Sequence, residues 1–295
     1  MLNYSEPLYR PPSEARSLIL QVTEGCSFNR CSFCSMYRDK QFSVKPLEKV
    51  VSEIFQAREM LPNTTRVFLA DGDALARTTS DLLSILDSLH QAFPSLERVS
   101  SYALPNNLIK KPESELALLK EGGLKLIYYG IESGSAAILK MITKGATPES
   151  MVQGLNRASA AGLAISATVI LGLGGQQLWM EHIDETAELV NKVQLDYLST
   201  LQLTLEPAIH EEFLEKFEKK GALFIPQGDA AILQEQVRLI EKMAPEKDLV
   251  FRSNHASNAL PLKGIIPRDC DQLLLALNVA SRDSSLLRPG WMRGL

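Results

Sequence analysis

The sequence is poor in the residues that build the simplest kinds of site. Its 295 residues hold only four cysteines, four histidines and two tryptophans. A secreted disulfide scaffold spreads many more cysteines along a short chain, so that class is excluded. Charge of one sign is also lacking, with 31 Lys and Arg against 35 Asp and Glu and a net charge of −4. Without a basic excess there is no chain-wide attraction for nucleic acid or membrane surfaces. No apolar run nears the roughly 18–20 residues that cross a bilayer. Residues 1–16 show neither the basic start nor the apolar stretch of a secretory leader, so the expected location is cytoplasmic. Low-complexity tracts are missing too, and 45% hydrophobic with 22% charged residues is an ordinary globular composition.

What is present is an alternation. Short apolar runs rich in branched residues (Ser17–Thr23, Arg66–Ala70, Glu97–Tyr102, Leu124–Gly130, Leu163–Leu171 and Asp196–Leu203) read as buried strands. Between them apolar residues recur at helical spacing, over Pro46–Met60, Asp81–Leu89, Glu113–Glu121, Ser135–Ile142, Pro148–Ala161 and Trp179–Val193. This rhythm predicts an α/β protein with a parallel sheet covered by helices. After Pro207 the pattern changes to charged helices over His210–Lys220 and Ala230–Met243. A short strand at Leu249–Arg252, a polar loop and a last helix over Asp269–Ala280 follow, with a loosely ordered tail from Arg282.

Three of the four cysteines, Cys26, Cys31 and Cys34, lie within nine residues directly after the first strand. Three thiolates in so short a loop can converge on one metal centre and leave one position unfilled by protein. A zinc site would want a fourth Cys or His at matching spacing. No histidine precedes His90, and Cys270 is far along the chain on an apolar helix with Leu273, Leu274 and Leu277, where it reads as a small buried hydrophobe. A [4Fe–4S] cluster with one open iron fits this arithmetic better than zinc.

The trio, with Phe33 just before the last cysteine, resembles the radical S-adenosylmethionine (SAM) superfamily, in particular its MiaB, NifB and HemN-like branch. Three further segments extend the resemblance over Leu18–Pro207. Asp71-Gly72-Asp73 stands where that family has Gly-Gly-Glu and holds the methionine amino group of SAM. Gly130-Ile131-Glu132-Ser133-Gly134 resembles a motif that contacts SAM. Gly172-Leu173-Gly174-Gly175 resembles a turn beside the adenine. All lie at C-terminal ends of predicted strands, where parallel barrels build their sites. The chain departs from the family in having four residues, not three, between its first two cysteines, and Asp-Gly-Asp in place of Gly-Gly-Glu.

The resemblance implies a partial (β/α)6-type parallel barrel over residues 17–207, after a lead-in over 1–16, with a C-terminal α-rich extension over 208–295 covering the site. It implies a [4Fe–4S] cluster on Cys26, Cys31 and Cys34, and SAM held by Phe33, Asp71, Gly72, Asp73, Tyr102, Glu132, Ser133, Thr168, Gly172 and Gly174. Reductive cleavage of SAM would then give a 5′-deoxyadenosyl radical that abstracts hydrogen from a small or medium-sized molecule. An electron donor such as flavodoxin or ferredoxin is implied as partner, and neither membrane nor nucleic acid is expected. Methyl transfer or a HemN-like reaction with a second SAM is the rival enzyme reading, and a zinc-binding or cluster-sensing module the rival without catalysis. Asp71, Asp73 and Glu132 can instead serve as turn or helix caps. For the substrate, Glu206 after the sixth strand and Arg252, Asn254 and His255 in the polar loop are the candidates. His90, His182 and His210 read as surface or helix residues.

Overall fold

The protein is represented by a computed structural model that describes residues 2–294. In chain order the elements are β1 (Leu18–Gln21), β2 (Thr23–Glu24), β3 (Ser43–Val44), α1 (Leu47–Met60), β4 (Arg66–Ala70) and α2 (Thr79–Ala92). Next come β5 (Arg98–Ala103), α3 (Pro105–Lys110), α4 (Glu113–Glu121), β6 (Leu124–Glu132), α5 (Ala136–Met141) and α6 (Pro148–Ala160). The remainder is β7 (Ala164–Leu171), α7 (Gly175–Asn191), β8 (Tyr197–Gln202), α8 (Pro207–Glu218), α9 (Asp229–Lys242), β9 (Leu249–Ser253), β10 (Leu262–Ile266) and α10 (Cys270–Arg282).

These residues group into two compact units, one of 2–29, 36–129 and 157–165, the other of 30–35, 130–156 and 166–294. In the first, β1 pairs with β4, β4 with β5 and β5 with β6, all parallel. Val67, Phe68, Leu69 and Ala70 of β4 are all buried, as expected of a strand covered on both faces. Thr78 caps α2 by accepting from the Asp81 N–H at 3.1 Å, which is what sets its start. The lead-in is anchored by Glu14, wholly buried, which accepts from Arg98 at 2.7 Å and from the Tyr128 hydroxyl at 2.6 Å.

In the second unit, β7 pairs with β8 and β8 with β9 in parallel, while β10 returns antiparallel to β9. Most expected elements appear within a few residues of their bounds. β10 and α3 were not expected, and α7 begins at Gly175 rather than Trp179. The tail is more ordered than the sequence implies. It forms single turns at Ser284–Leu286 and Gly290–Met292, and Arg293 grips Asp229 through two bonds of 2.7 Å. Leu295 lies outside the described residues. No described helix is long and apolar enough to cross a membrane.

Candidate functional site

In the first unit, Cys26 follows Gly25, whose φ of 70° suits a residue without a side chain. The Gly25 N–H donates to Asp71 Oδ2 at 3.1 Å, and the same oxygen accepts from Lys40 Nζ at 2.8 Å and Gln21 Nε2 at 3.3 Å. Asp71 is wholly buried, and Lys40 also donates to the carbonyls of Ser5 and Pro7, each at 2.6 Å. The structure thus places Asp71 as a fastener between the start of the cysteine loop and the lead-in. A side chain at Gly72 would put its Cβ 2.6 Å from the Tyr37 ring and 3.1 Å from the Cys26 Cβ, so only glycine lets these groups approach. Asp73 accepts from the Ser27 hydroxyl through Oδ2. Its Oδ1 is buried without a hydrogen-bond partner among the described residues. Burial holds the Asp73 carboxyl above its usual range, opposed by the Ser27 and Asn107 contacts. Tyr102 is half-buried, edge-on to Phe68 at 5.0 Å and to Tyr128 at 6.3 Å.

In the second unit, the Cys34 N–H donates to the Cys31 carbonyl at 3.2 Å, closing a turn around Ser32 and Phe33. That turn is pinned by the Ser32 N–H, which donates to the Ile142 carbonyl at 2.9 Å. Two residues beyond Ile142, the Lys144 ammonium lies 5.9 Å from the Phe33 ring centroid and 2.8 Å from Glu132 Oε1. Burial alone would lower the Lys144 pKa, but the charges of Glu132, Cys31 and Cys34 outweigh it and hold the ammonium raised. Glu132 ends β6 at φ 64°, a left-handed conformation uncommon away from glycine. A Cβ on Gly130 would fall 1.9 Å from Glu132 Oε1, so that glycine is what makes room for the carboxylate.

The turn after Glu132 is stapled to α7. The buried His182 Nε2 faces the Ile170 carbonyl at 2.9 Å, which requires it to donate there, so Nδ1 accepts from the Ser133 hydroxyl at 2.8 Å. Burial pushes the His182 pKa down to about 4, only partly offset by the Ile170 carbonyl. The Gly134 N–H donates to Thr186 Oγ1 at 2.7 Å, and a Cβ at Gly134 would lie 2.1 Å from the Glu185 carbonyl oxygen. His182 is therefore an interior anchor rather than a surface residue, while His90 and His210 are exposed as expected.

Gly172, at φ 87°, donates its N–H to Glu235 Oε2 of α9 at 2.7 Å. Glu235 is wholly buried, and burial pushes its carboxyl up to about 8. Gly172, Gln202, Leu203, Phe224 and Ile232 line a cavity of about 200 Å³. Gly174 sits where a Cβ would lie 2.7 Å from Leu178 backbone atoms, so it lets α7 start tightly. Thr168 is half-buried on β7 opposite Ser199 of β8.

The C-terminal candidates are more peripheral. Glu206 is exposed and precedes α8. Arg252 and Asn254 are exposed, with the Arg252 guanidinium 5.5 Å from the Tyr197 ring centroid. His255 Nδ1 is bonded to the Ser257 hydroxyl at 2.9 Å, and burial lowers its pKa. Asn258 accepts from the Gln202 N–H and donates to the Thr200 carbonyl, each at 2.7 Å, tying this loop to β8. Cys270 opens α10 half-buried, not as a fully buried hydrophobe. Among the described residues no group of three or more His, Cys, Asp and Glu side chains is arranged to hold a metal ion. Sequence reasoning missed Lys40, Lys144, His182 and Glu235. Only His182 carried a signal, since it shares a helical stripe with the buried Ile183, Thr186 and Leu189.

Parallel strands linked through helices, with the polar and glycine turns at their C-terminal ends, define an α/β fold in each unit. The family model of the Radical SAM superfamily matches residues 20–190, more than half of the chain, and the chain belongs to that superfamily. Its members work with a [4Fe–4S] cluster and SAM. An uncharacterized methyltransferase of Pyrococcus horikoshii is 27% identical over 184 residues, covering 61% of this chain and 38% of its own. Heme chaperone HemW of Bacillus subtilis is 21% identical over 202 residues, covering 68% and 51%. Among solved structures, the radical SAM methyltransferase TsrM of Kitasatospora setae, with cobalamin and a [4Fe–4S] cluster bound, superposes with a TM-score of 0.56 at 17% identity, covering 69% of this chain and 39% of that one. This likeness establishes the fold class. The chain spans 30 to 51% of the length of the first curated relatives it matches.

Proposed function

We propose that Cys26, Cys31 and Cys34 bind three irons of a [4Fe–4S] cluster and that the chain uses it with SAM to start hydrogen abstraction from a small or medium-sized molecule. When bound, the pair supplies reductive C–S cleavage and a 5′-deoxyadenosyl radical. Thiolates suit iron–sulfur ligation, and three of them leave one position for a non-protein ligand. The observation that carries the reading is the Cys31–Cys34 turn with a buried cation beside it, since an ammonium favours the thiolate form that ligation requires.

The chain's own residues have defined work in this reading. Asp73 offers a buried carboxylate oxygen to the methionine ammonium, while Asp71, Gly72 and Tyr102 shape the surroundings of Cys26. Glu132 receives ribose hydroxyls, and Ser133 fixes its turn through His182. Thr168, Gly172 and Gly174 present backbone and hydroxyl groups to the adenine, and Phe33 shields the cysteine turn from water. Residues 17–207 form the catalytic core. Residues 208–295 cover the glycine turn, a role supported by the Glu235 bond to Gly172. Glu206, Arg252, Asn254 and His255 are assigned to the substrate side. A low-potential electron donor of the flavodoxin or ferredoxin kind completes the system, in the cytoplasm.

Anaerobic reconstitution with iron and sulfide, followed by SAM and dithionite, tests this. Formation of 5′-deoxyadenosine is expected; one equivalent of zinc without iron would refute it. The methyltransferases among the similar proteins support a second reading, methyl transfer, which S-adenosylhomocysteine in the same assay would reveal.

A further inference from the structure

We infer that Lys144 is a charge-balancing positioning residue that tunes the reducibility of the centre held by Cys31 and Cys34, and couples it to Glu132. This rests on the ligand assignment proposed above. Lys144 follows α5 in a sharp turn, between Thr143 at φ 55° and Gly145 at φ 72°. Its ammonium is buried, and its only hydrogen-bond partner among the described residues is Glu132, at 2.8 Å. A lone buried pair of this kind gains little for stability, because desolvation offsets most of the attraction. The remaining neighbours explain its position better. The face of Phe33 lies 5.9 Å from the ammonium, and the charges of Cys31 and Cys34 both act on it. The Ser32 N–H bond to the Ile142 carbonyl, at 2.9 Å, keeps the lysine turn against the cysteine turn. Glu132 in turn can lie over β6 only because Gly130 has no side chain, its Cβ position being 2.9 Å from Lys144 Nζ.

The chemical consequence follows from charge alone. One electron delivered from a low-potential donor adds one negative charge at the thiolate-bound centre, with no bond broken and no proton moved. A fixed cation in a water-poor setting favours that added charge. Replacing it by a neutral side chain opposes reduction. Because the same cation holds Glu132, its loss also frees the carboxylate proposed to meet the ribose.

The test compares wild type, Lys144→Arg and Lys144→Met after anaerobic reconstitution. Iron content, melting temperature and an EPR-monitored redox titration are measured on each. Lys144→Met, once loaded with iron, is expected to shift its midpoint to more negative potential, with about tenfold or more less reduced centre at a fixed potential. Lys144→Arg should return close to wild type. An iron-loaded Lys144→Met with an unchanged midpoint would overturn the inference. Should Lys144→Met fail to fold, Lys144→Gln, which keeps a donor for Glu132 and removes only the charge, gives the same readout. Wild type without iron would instead refute the ligand assignment itself.

Discussion

Two buried lysine–carboxylate pairs, one in each unit, have the same separation of 2.8 Å and opposite surroundings. Around Lys40 and Asp71 Oδ2 the polar groups are matched, while Asp71 Oδ1 is buried without a hydrogen-bond partner among the described residues. Asp71 Oδ2 takes three donors, and Lys40 gives its other hydrogens to the Ser5 and Pro7 carbonyls. Such a pair is a rivet. Around Lys144 and Glu132 the ion pair stands with few other partners, the backbone is left-handed at Glu132, and the cation lies over the Phe33 ring under the charge of Cys31 and Cys34. Backbone strain of this kind is concentrated at functional sites. Distance alone does not separate a structural ion pair from a functional one; the partners around it do.

The comparison can be broken by substitution. The largest effect belongs to Cys31→Ala, which should abolish SAM cleavage and iron loading while leaving the melting temperature nearly unchanged. Asp71→Asn should instead act on the fold, costing about 3–5 kcal/mol in denaturant unfolding by leaving Lys40 buried without its counter-charge. Gly130→Ala, with its Cβ 1.9 Å from Glu132 Oε1, should displace that carboxylate, cost about 1–3 kcal/mol and weaken SAM binding in equilibrium dialysis. Glu132→Gln should weaken SAM binding about tenfold, roughly one hydrogen bond to a charged group, besides the stability lost by leaving Lys144 without its counter-charge. If Glu132→Gln proves as destabilising as Asp71→Asn with SAM binding intact, the two pairs are alike and the distinction fails.

The smallest effect is on pH dependence. His182 is neutral in the fold down to about 4 but protonates near 6.5 when unfolded, so its contribution is lost as pH falls from 6.5 towards 4. Glu235 has the opposite sign: its folded pKa of about 8 exceeds 4.5, so its contribution is full below 4.5 and is lost as pH rises through 8. The two oppose each other between 4.5 and 6.5, and above that Glu235 acts alone. Stability should fall by up to about 1.4 kcal/mol per pH unit from 6.5 to 8. Glu235→Gln should flatten that slope in urea titrations.

The helices and strands were legible because buried parallel strands are near-continuous apolar runs and their helices carry an apolar stripe. α3 was missed because six residues, PNNLIK, are too few to show a period. β10 was missed because its sequence, LKGII, holds a lysine and a glycine, and only the ladder to β9 makes it a strand. The cysteine trio and the turns around Glu132 and Gly172 were visible as motifs. Lys144 and Glu235 were not, because what distinguishes them is depth and neighbours supplied by elements distant in sequence. Asp71 shows the converse: the motif was visible, yet only the fold reveals Lys40 lying against it.

The most direct test of the account is low-temperature EPR of the dithionite-reduced, reconstituted protein with and without SAM. A [4Fe–4S] signal whose shape changes when SAM is added is the predicted result, because in the proposed arrangement SAM takes the iron position that three cysteines leave open. A cluster signal indifferent to SAM, or no iron signal at all, would contradict it.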